Sequence, residues 1–236
     1  MCDPVAEAVC LDIVTIDGPS GVGKSTLSRL LAARLGYTYL DTGAMYRAVA
    51  LQCRRLGVRP DDDQGLRGVL ERLELRLLPA NGTGEETRVL LGADEVSGEI
   101  RTPEVGMLAS TVSARPMVRH HLTTMQRQLG AAGRVVAEGR DTGTVVFPAA
   151  RFKFYLDASS EERARRRIEQ LRRKGAAVNE AEILAQQDQR DRNDAGRSLA
   201  PLAAAADALR IDTSDLSSDQ VLVIMLGYIR SLGGLC

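Results

Sequence analysis

The feature that most constrains this chain is a glycine-rich turn between a predicted strand and a predicted helix. An apolar, β-branched run ends at Asp17, residues 18–25 read G-x-x-x-x-G-K-S, and a helical pattern opens at Lys24. Glycines let such a turn point successive backbone N–H groups inward as an anion nest, and the N-terminus of the following helix adds partial positive charge. The pattern therefore predicts a P-loop that binds a nucleoside triphosphate.

Two side chains of this loop have predicted roles. The Lys24 ammonium can reach the β and γ phosphates, and the Ser25 hydroxyl is a ligand for Mg²⁺, partly through water. A glycine-rich connection that binds nothing is the alternative, but chance rarely supplies the strand, the loop, Gly-Lys-Ser and the helix together. The residues predicted to contact the triphosphate are Gly18, Pro19, Ser20, Gly21, Val22, Gly23, Lys24, Ser25 and Thr26.

The composition limits the class of protein. The chain has 236 residues, 44% of them apolar, which is enough to form the core of one or two domains. Only 3% are aromatic, so the core must be aliphatic. Basic and acidic side chains number 31 each. This balance argues against bulk electrostatic binding to nucleic acid or to an anionic membrane, though not against local basic pockets.

The N-terminal residues and the cysteines bear on cellular location. Residues 1–10 lack the basic start and apolar core of a signal peptide, and the longest apolar run, residues 221–228, is too short to span a bilayer. The cysteines are scattered, which fits reduced thiols: Cys2, Cys10, Cys53 and Cys236. We expect a monomeric, cytoplasmic protein with no membrane or nucleic-acid partner.

The order of predicted elements indicates the fold class. Strand, helix, strand and helix follow one another up to residue 56, as in a parallel sheet covered by helices. Residues 60–101 break this rhythm, because apolar alternation at 73–77 and turn clusters at 81–84 and 92–94 predict a small antiparallel sheet. This insert either carries a second substrate or is ornamental. Further helices are predicted at about 103–113, 116–129, 159–174, 180–194 and 218–231, and strands at 134–138, 152–156 and 208–211.

A charged triplet near residue 194 allows two interpretations. Arg190, Asp194 and Arg197 are spaced i, i+4 and i+7, so they share a face if one helix extends that far. Two guanidinium groups flanking a carboxylate suit a phosphate beside sugar hydroxyls. A surface salt-bridge ladder, worth about 0.3–0.5 kcal/mol per pair, explains the spacing equally well.

The arginine-rich helix near residue 165 is also open to two interpretations. Most of its charges form i, i+4 pairs typical of a solvated helix, namely Glu161–Arg165, Glu162–Arg166 and Glu169–Arg173. Arg163 and Arg167 lack such partners and fall on one face. A mobile lid could bring that face onto a transferring phosphoryl group.

Three further residues have weaker signals. His120 and His121 adjoin each other on a polar helix and are interpreted as ordinary helix residues. Glu138 ends a predicted strand, where it either helps to order Mg²⁺ through water or caps the strand. The chain has no N-K-x-D motif and no L-S-G-G-Q element, which counts against a GTPase switch and a transporter ATPase.

Five sequence blocks resemble those of bacterial-type cytidylate kinases, in the same order along the chain. The first is shared with many P-loop proteins, whereas the third and fourth are far more specific and exclude adenylate and thymidylate kinases as close matches. The blocks are IDGPSGVGKST at residues 16–26, LDTGAMYR at 40–47, VSGEIRT at 96–102, EGRDTGTVVFP at 138–148 and LDASSEERA at 156–164.

This resemblance implies an enzyme that uses ATP and Mg²⁺ to phosphorylate CMP or dCMP, by direct in-line transfer of the γ-phosphoryl group. It implies an α/β fold, with a parallel-sheet P-loop kinase core, helices on both faces, a small antiparallel insert and a helical lid. Residues 1–236 would form a single domain. Its core would comprise residues 11–59, 106–158 and 195–236, its monophosphate-binding insert about 60–105, and its lid with flanking helices about 159–194.

The resemblance also implies site residues, carried over by motif. The residues implied around CMP are Thr42, Tyr46, Arg47, Ser110, Arg119, Arg140, Asp141, Arg190, Asp194 and Arg197. Among them, Arg47 and Arg140 would hold the acceptor phosphate, Ser110, Arg119 and Asp141 would read the cytosine edge, and Arg190 and Asp194 would meet the sugar. The residues expected to act in catalysis are Lys24, Arg140, Arg197 and the lid residues Arg163, Arg166 and Arg167.

Two other functions are consistent with the P-loop. A kinase for another small acceptor, such as UMP or a non-nucleotide metabolite, would use the same loop. A non-catalytic, nucleotide-dependent binding module would bind ATP without acceptor-dependent turnover. Turnover with a panel of acceptors separates these functions from phosphorylation of CMP.

Overall fold

Two sheets and eight α-helices make up the part of the chain that the computed structural model describes, residues 12–79, 86–173, 175, 178–197 and 199–234. The strands are β1 (Ile13–Asp17), β2 (Thr38–Asp41), β3 (Leu75–Leu78), β4 (Arg88–Leu91), β5 (Asp94–Glu95), β6 (Val135–Gly139), β7 (Phe152–Asp157) and β8 (Leu209–Asp212). The helices are α1 (Lys24–Leu35), α2 (Thr42–Arg55), α3 (Asp63–Glu71), α4 (Pro103–Val112), α5 (Pro116–Gly130), α6 (Ser160–Arg173), α7 (Glu180–Ala195) and α8 (Ser218–Ser231). Shorter helical turns lie at Glu99–Arg101 and Thr142–Val146.

The central sheet has the strand order β2-β6-β1-β7-β8, and every neighbouring pair is parallel. All residues of β1 and β6 are buried, because a parallel sheet needs helices on both faces. One apolar cluster packs between the sheet and α2, α4 and α5, and the other between the sheet and α1 and α8. The predicted α/β class is therefore confirmed, and the carboxyl ends of β1, β2 and β6 meet at one edge, where such sheets bind ligands.

The segment between α2 and α4 contains the second sheet. Its strands β3, β4 and β5 are antiparallel, with Leu77 opposite Val89, which confirms the predicted small antiparallel insert. The preceding helix α3 is not predicted by the sequence pattern. Asp62 caps α3 by accepting a hydrogen bond from the N–H of Gly65 at 2.9 Å, and Leu66 is fully buried beneath it.

The remaining element boundaries lie within two residues of the predicted ones. The π-helical turn Thr142–Val146 has no counterpart among the predicted elements. The predicted turn at residues 81–84 lies outside the described residues, as do Cys2, Cys10 and Cys236. Cys53 is described, and it is buried and free. Among the helices that the structure describes, none is both long and apolar enough to cross a membrane.

Candidate active site

The P-loop connects β1 to α1 through a backbone that requires glycine. Gly18 has a φ of 149°, and a Cβ there would lie 2.1 Å from the carbonyl oxygen of Leu156 in the neighbouring strand β7. Gly21 has a φ of 89°, and its Cβ would lie 3.0 Å from the Cβ of Arg163 in α6. The loop is therefore packed closely between β7 and α6, in a conformation that other residues rarely adopt.

The rest of the loop leads directly into α1. Gly23 is the N-cap of the helix, with a left-handed φ of 92°, and Val22 before it is buried. Ser25 and Thr26 lie exposed in the first turn, where the unpaired N–H groups of a helix favour an anion.

Lys24, the first residue of α1, has its ammonium buried over this loop. Its Nζ donates a hydrogen bond to the carbonyl oxygen of Pro19 at 2.6 Å. Burial lowers the pKa of Lys24, and the positive charge of Arg140 lowers it further. The lysine and Arg140 therefore lie within electrostatic range of each other. Two cations so placed favour binding of an anion between them.

Glu138 lies beside the P-loop at the carboxyl end of β6. Its Oε1 accepts hydrogen bonds from the hydroxyls of Ser25, at 2.7 Å, and of Tyr39, at 2.6 Å. Its Oε2 is buried and has no hydrogen-bond partner among the described residues. Burial raises the pKa of Glu138, and the neighbouring charge of Asp41 adds to this. An unpartnered carboxylate oxygen beside a serine hydroxyl fits a small hard cation such as Mg²⁺, which takes oxygen ligands.

Four arginines from separate elements come together near the loop. We call them the arginine cluster, and its members are Arg47, Arg140, Arg167 and Arg190. A Cβ at Gly106 in α4 would lie 3.1 Å from Nη1 of Arg47 and 3.5 Å from Nη2 of Arg190. Burial lowers the pKa of Arg190 to about 9, and the charges of Arg47 and Arg140 lower it further. Such a concentration of like charge favours binding of an anion.

Asp194 joins the arginine cluster to the chain segment after α7. Its buried carboxylate accepts hydrogen bonds from Nε of Arg140, at 2.7 Å, from Arg197, and from the hydroxyl of Ser110 at 3.5 Å. Helix α7 ends at Ala195, so the single helical face expected to reach Arg197 does not exist. The chain after the helix brings Arg197 to the same carboxylate. Because Asp194 is buried, a solvated surface ladder does not describe this group.

A second buried ion pair lies within electrostatic range of Arg197. Arg119 of α5 pairs with Asp141, which follows β6, and Nη1 of Arg119 also donates to the carbonyl oxygen of Ser113 at 3.1 Å. The Arg119 guanidinium lies 5.5 Å from the centre of the Tyr46 ring. Burial raises the pKa of Tyr46 to about 12, while the charge of Arg119 and the side chain of Gln126 act in the opposite direction. Gln126 is buried, and the sequence predicted no role for it.

Thr42 and Arg47 tie α2 to the neighbouring elements. The buried hydroxyl of Thr42, at the start of α2, donates to the carbonyl oxygen of Glu138 at 2.6 Å. Nη1 of Arg47, one turn further along, donates to the carbonyl oxygen of Ile100 at 3.2 Å. Thr42 therefore holds the start of α2 against the end of β6, and Arg47 extends from α2 into the arginine cluster.

The three arginines predicted for a lid have different surroundings. Arg163 is buried, and its guanidinium donates to the carbonyl oxygens of Ser20, at 3.1 Å, and Ala158, and to Asp191 of α7 at 2.6 Å. Arg163 therefore stabilises the P-loop through its hydrogen bond to the carbonyl oxygen of Ser20. Arg167 lies in the arginine cluster and contacts Gln170.

Arg166, the third of them, holds a different segment. Its guanidinium donates to the hydroxyl of Thr213 at 3.0 Å and to backbone oxygens of residues 213 and 214, and its Nε donates to Glu162. The predicted pairs Glu162–Arg166 and Glu169–Arg173 are present. Arg165 pairs with Glu162 and Glu169 rather than with Glu161, so that prediction is wrong.

Several residues with evident structural roles here have no predicted function in the sequence. Asp17 accepts three hydrogen bonds from the turn after Asp141, Tyr39 binds Glu138, and Asp191 binds Arg163. Each of these partners is distant in the chain, so no local spacing indicates the contact. The only sequence signal is the position of Asp17 at the end of a buried strand, next to the P-loop.

Comparison with known proteins identifies the family. The family described as cytidylate kinase matches residues 14–231. The chain is 53% identical over 218 residues to the cytidylate kinase of Citrifermentans bemidjiense, covering 92% of each chain. It is 48% identical over 224 residues to that of Syntrophotalea carbinolica, covering 95% of this chain and 94% of the relative. It is 45% identical over 218 residues to that of Pasteurella multocida, covering 92% and 95%. This chain therefore belongs to the cytidylate kinase family.

Proposed function

We propose that this chain transfers the γ-phosphoryl group of ATP to the phosphate of CMP or dCMP, directly and in line, without a phosphoenzyme. The chain is an enzyme of the cytidylate kinase family, with CMP as acceptor and ATP as phosphate donor. One observation carries the mechanism: Arg140, a member of the arginine cluster, lies within electrostatic range of the P-loop lysine, Lys24. Main-chain amides around Gly21 would hold one anion, and guanidinium groups the other.

The arginine cluster is assigned to the acceptor phosphate. Arg47 and Arg190 converge beside Gly106, and Arg140 lies within electrostatic range of both of them and of Lys24. Guanidinium forks bind phosphate oxygens in pairs, so several of them fix both the position and the orientation of the phosphate. Asp194, which holds Arg140 and Arg197, is assigned to the sugar together with Arg190.

Base recognition is assigned to Ser110, Arg119 and Asp141. Cytosine offers an amino group as donor and a ring nitrogen and carbonyl oxygen as acceptors, so it matches a carboxylate beside a guanidinium. Uracil has a carbonyl group in place of the amino group and would face Asp141 with a second acceptor. Because the paired Arg119 and Asp141 are buried, a wrong base would leave the hydrogen-bonding positions that they offer to a base unfilled, and sites of this kind can discriminate by about 10⁴–10⁵.

Catalysis then rests on positioning and charge stabilisation, which supply most of the rate enhancement in phosphoryl transfer. Lys24 would stabilise the donor side, and Arg140, Arg167 and Arg197 the acceptor side. Closure of a lid would exclude water, which otherwise competes as acceptor. For Arg163 and Arg166 we propose positioning roles in place of the predicted catalytic ones, because backbone carbonyls and acidic side chains hold their guanidinium groups.

Mg²⁺ is proposed as the cofactor, held by Ser25 and Glu138. When bound, it would neutralise charge on the triphosphate. Glu138→Gln should raise the Mg²⁺ concentration needed for half-maximal rate by about tenfold or more. Tyr39→Phe is the matched control, since it removes the other hydrogen bond to the same oxygen and keeps the carboxylate. An unchanged Mg²⁺ requirement in Glu138→Gln would remove the assignment.

An acceptor panel tests the substrate. ADP production with CMP, dCMP, UMP, AMP and shikimate should be fastest with a cytidine nucleotide. Equal or faster turnover with another acceptor would overturn the proposal. Preference between CMP and dCMP is read from the same assay. The monomeric state and the cytoplasmic location stay predictions from the sequence.

Replacement of Asp141 tests the base-reading role. Asp141→Ala should lower kcat/KM for CMP by about 10²-fold, because it leaves Arg119 buried and unpaired, while the KM for ATP changes by less than about threefold. Asp61→Ala, which breaks an exposed pair with Arg59, is the control and should change neither value. Equal losses for both substrates would show that Asp141 supports the fold instead.

A further inference from the structure

The strand that leads into the P-loop ends in a carboxylate whose hydrogen bonds go to a distant turn. Asp17, the last residue of β1, is buried. Its Oδ1 accepts hydrogen bonds from the backbone N–H of Thr142, at 2.9 Å, and from the Thr142 hydroxyl at 2.8 Å. Its Oδ2 accepts one from the N–H of Gly143 at 2.8 Å. All three donors belong to the turn that begins immediately after Asp141.

This turn fits tightly against β1. A Cβ at Gly143 would lie 2.8 Å from the Thr15 hydroxyl and 3.4 Å from Oδ2 of Asp17, so the backbone lies flat on the strand. The turn then closes on itself, because the N–H groups of residues 145 and 146 donate to the carbonyl oxygen of Asp141. The first two N–H groups of this turn, those of Thr142 and Gly143, both donate to the Asp17 carboxylate.

Asp17 lies near charged residues of both proposed substrate sites, the one for ATP and the one for the base. Lys24 and Asp141 lie within electrostatic range of its carboxylate, on the side of the triphosphate and on the side of the base. Burial raises the pKa of Asp17, while the backbone hydrogen bonds of Gly143 and Thr142 oppose this rise. The fold therefore keeps a costly buried carboxylate here, and its hydrogen bonds go to one short segment.

We propose that Asp17 is a positioning residue that fixes the turn after Asp141 and so aligns the base-reading pair with the P-loop. The proposal rests on the assignment of Arg119 and Asp141 to the cytosine base. The hydrogen bonds of Asp17 go to Thr142 and Gly143, so its influence on the base-reading pair passes through this turn. Its loss should therefore change which base is accepted more than how tightly ATP binds.

Asp17→Asn tests this role. An amide has only one acceptor oxygen, so its NH₂ group must face at least one of the N–H donors of the turn. We expect the KM for CMP to rise by about tenfold or more, and the ratio of kcat/KM for CMP over UMP to fall by a similar factor. The dissociation constant for ATP, measured by calorimetry without CMP, should change by less than about threefold.

Asp12→Asn is the matched control. Asp12 is a buried carboxylate just before the other end of β1, and it accepts a hydrogen bond from the Tyr37 hydroxyl at 3.0 Å. Asp12→Asn should lower Tm without changing the ratio of kcat/KM for CMP over UMP. If Asp17→Asn does the same, Asp17 has only a structural role and the proposal is overturned.

Two further variants keep the result interpretable. Thr142→Val removes only the hydroxyl donor and should give a smaller fall in the ratio; if Asp17→Asn does not fold, this variant decides, and an unchanged ratio overturns the proposal. Thr142→Ser keeps the donor and should restore the ratio.

Asp141→Ala separates the two proposals. If it lowers the ratio and Asp17→Asn does not, only the role of Asp17 fails, whereas an unchanged ratio in Asp141→Ala removes the base-reading assignment itself.

Discussion

Arg190 is the residue at which function and stability conflict most directly. Folding places it beside Arg47, Arg140 and Arg167, and burial together with these charges lowers its pKa to about 9. The carboxylate of Asp194 opposes these charges. In the proposed acceptor site a bound phosphate would supply negative charge, so part of the free energy lost in assembling the cluster would be recovered on binding. Residues of this kind are selected for binding and reduce the stability of the free protein.

We predict that Arg190→Met makes the ligand-free protein more stable and a poorer enzyme. Removing one of four clustered charges should raise Tm in phosphate-free buffer by about 2–4 °C, which corresponds to about 1 kcal/mol for a chain of this size. The KM for CMP should rise by about 10²-fold, because a guanidinium contact to the phosphate is lost. Calorimetry and steady-state kinetics provide the two measurements.

The control for this change is on the same helix. Arg192 is exposed, and its guanidinium donates a hydrogen bond to Gln189 of the same helix. Arg192→Met should therefore alter neither Tm nor KM appreciably. A lower Tm for Arg190→Met than for the unmodified chain would mean that Asp194 already compensates the cluster. The charge argument for the acceptor site would then be wrong.

The roles of single residues could be predicted from the sequence only where those residues belong to a local motif. Lys24 follows from the P-loop pattern alone, whereas the spacing of Arg190 and Asp194 left a surface ladder equally acceptable. Arg163 illustrates the limit. Its partner Asp191 lies on another helix and its second partner is a backbone carbonyl at Ser20, and neither leaves a signal in the sequence around Arg163.

At the scale of elements, the strands and most helices could be predicted because their apolar periodicity is strong. Helix α3 could not, since three aspartates at residues 61–63 lead into it and it contains Gly65 and Gly68, which are typical of a loop. Tertiary packing outweighs these weak propensities, because Leu66, Val69 and Leu70 are buried against the rest of the domain. The turn at Thr142–Val146 was missed for a similar reason: its conformation depends on the distant carboxylate of Asp17.

The two glycines of α3 provide a matched pair of substitutions. Gly68 has open space where a Cβ would be, so Gly68→Ala should stabilise the protein by about 0.5–1 kcal/mol and raise Tm by about 1–4 °C. At Gly65 a Cβ would lie 2.4 Å from Oδ2 of the capping Asp62 and 2.8 Å from Cγ1 of Val58. Gly65→Ala should therefore lower Tm, because it displaces the cap, which is worth about 1 kcal/mol.

Differential scanning calorimetry of both variants checks this prediction. Neither change should affect kcat or KM, because α3 contributes no residue to the assigned site. The same sign of shift in Tm for both variants would contradict the helix and its cap as described.

At the scale of the whole molecule, the active site is assembled from segments that lie far apart in the chain. The P-loop follows β1, Arg47 comes from α2, Arg140 follows β6, and Arg190 comes from α7. The parallel order β2-β6-β1 brings these segments to one edge of the sheet. Sequence motifs could name many of the members, and the resemblance to a family supplied their roles. Their mutual distances could not be predicted, because those depend on the sheet order and on how α7 packs.

Two ligands that bind separate parts of one fold should stabilise it independently, and this allows the two subsites to be tested without turnover. A ligand at a concentration 100 times its dissociation constant stabilises the folded state by about 2.7 kcal/mol, which for this size raises Tm by roughly 5–10 °C. We predict that Lys24→Met abolishes most of the shift caused by ATP and keeps that caused by CMP. Arg190→Met should do the opposite.

The reciprocal pattern is what distinguishes two adjoining anion sites from one shared site. If the arginine cluster also bound the triphosphate, Arg190→Met would reduce the ATP shift as much as the CMP shift. If Lys24 were needed to form the acceptor site, Lys24→Met would abolish both shifts. Thermal denaturation of the unmodified chain and the two variants, each alone, with ATP and with CMP, gives nine Tm values. A crossed loss of shifts supports end-to-end binding of donor and acceptor, because only then does each cation act mainly on its own ligand.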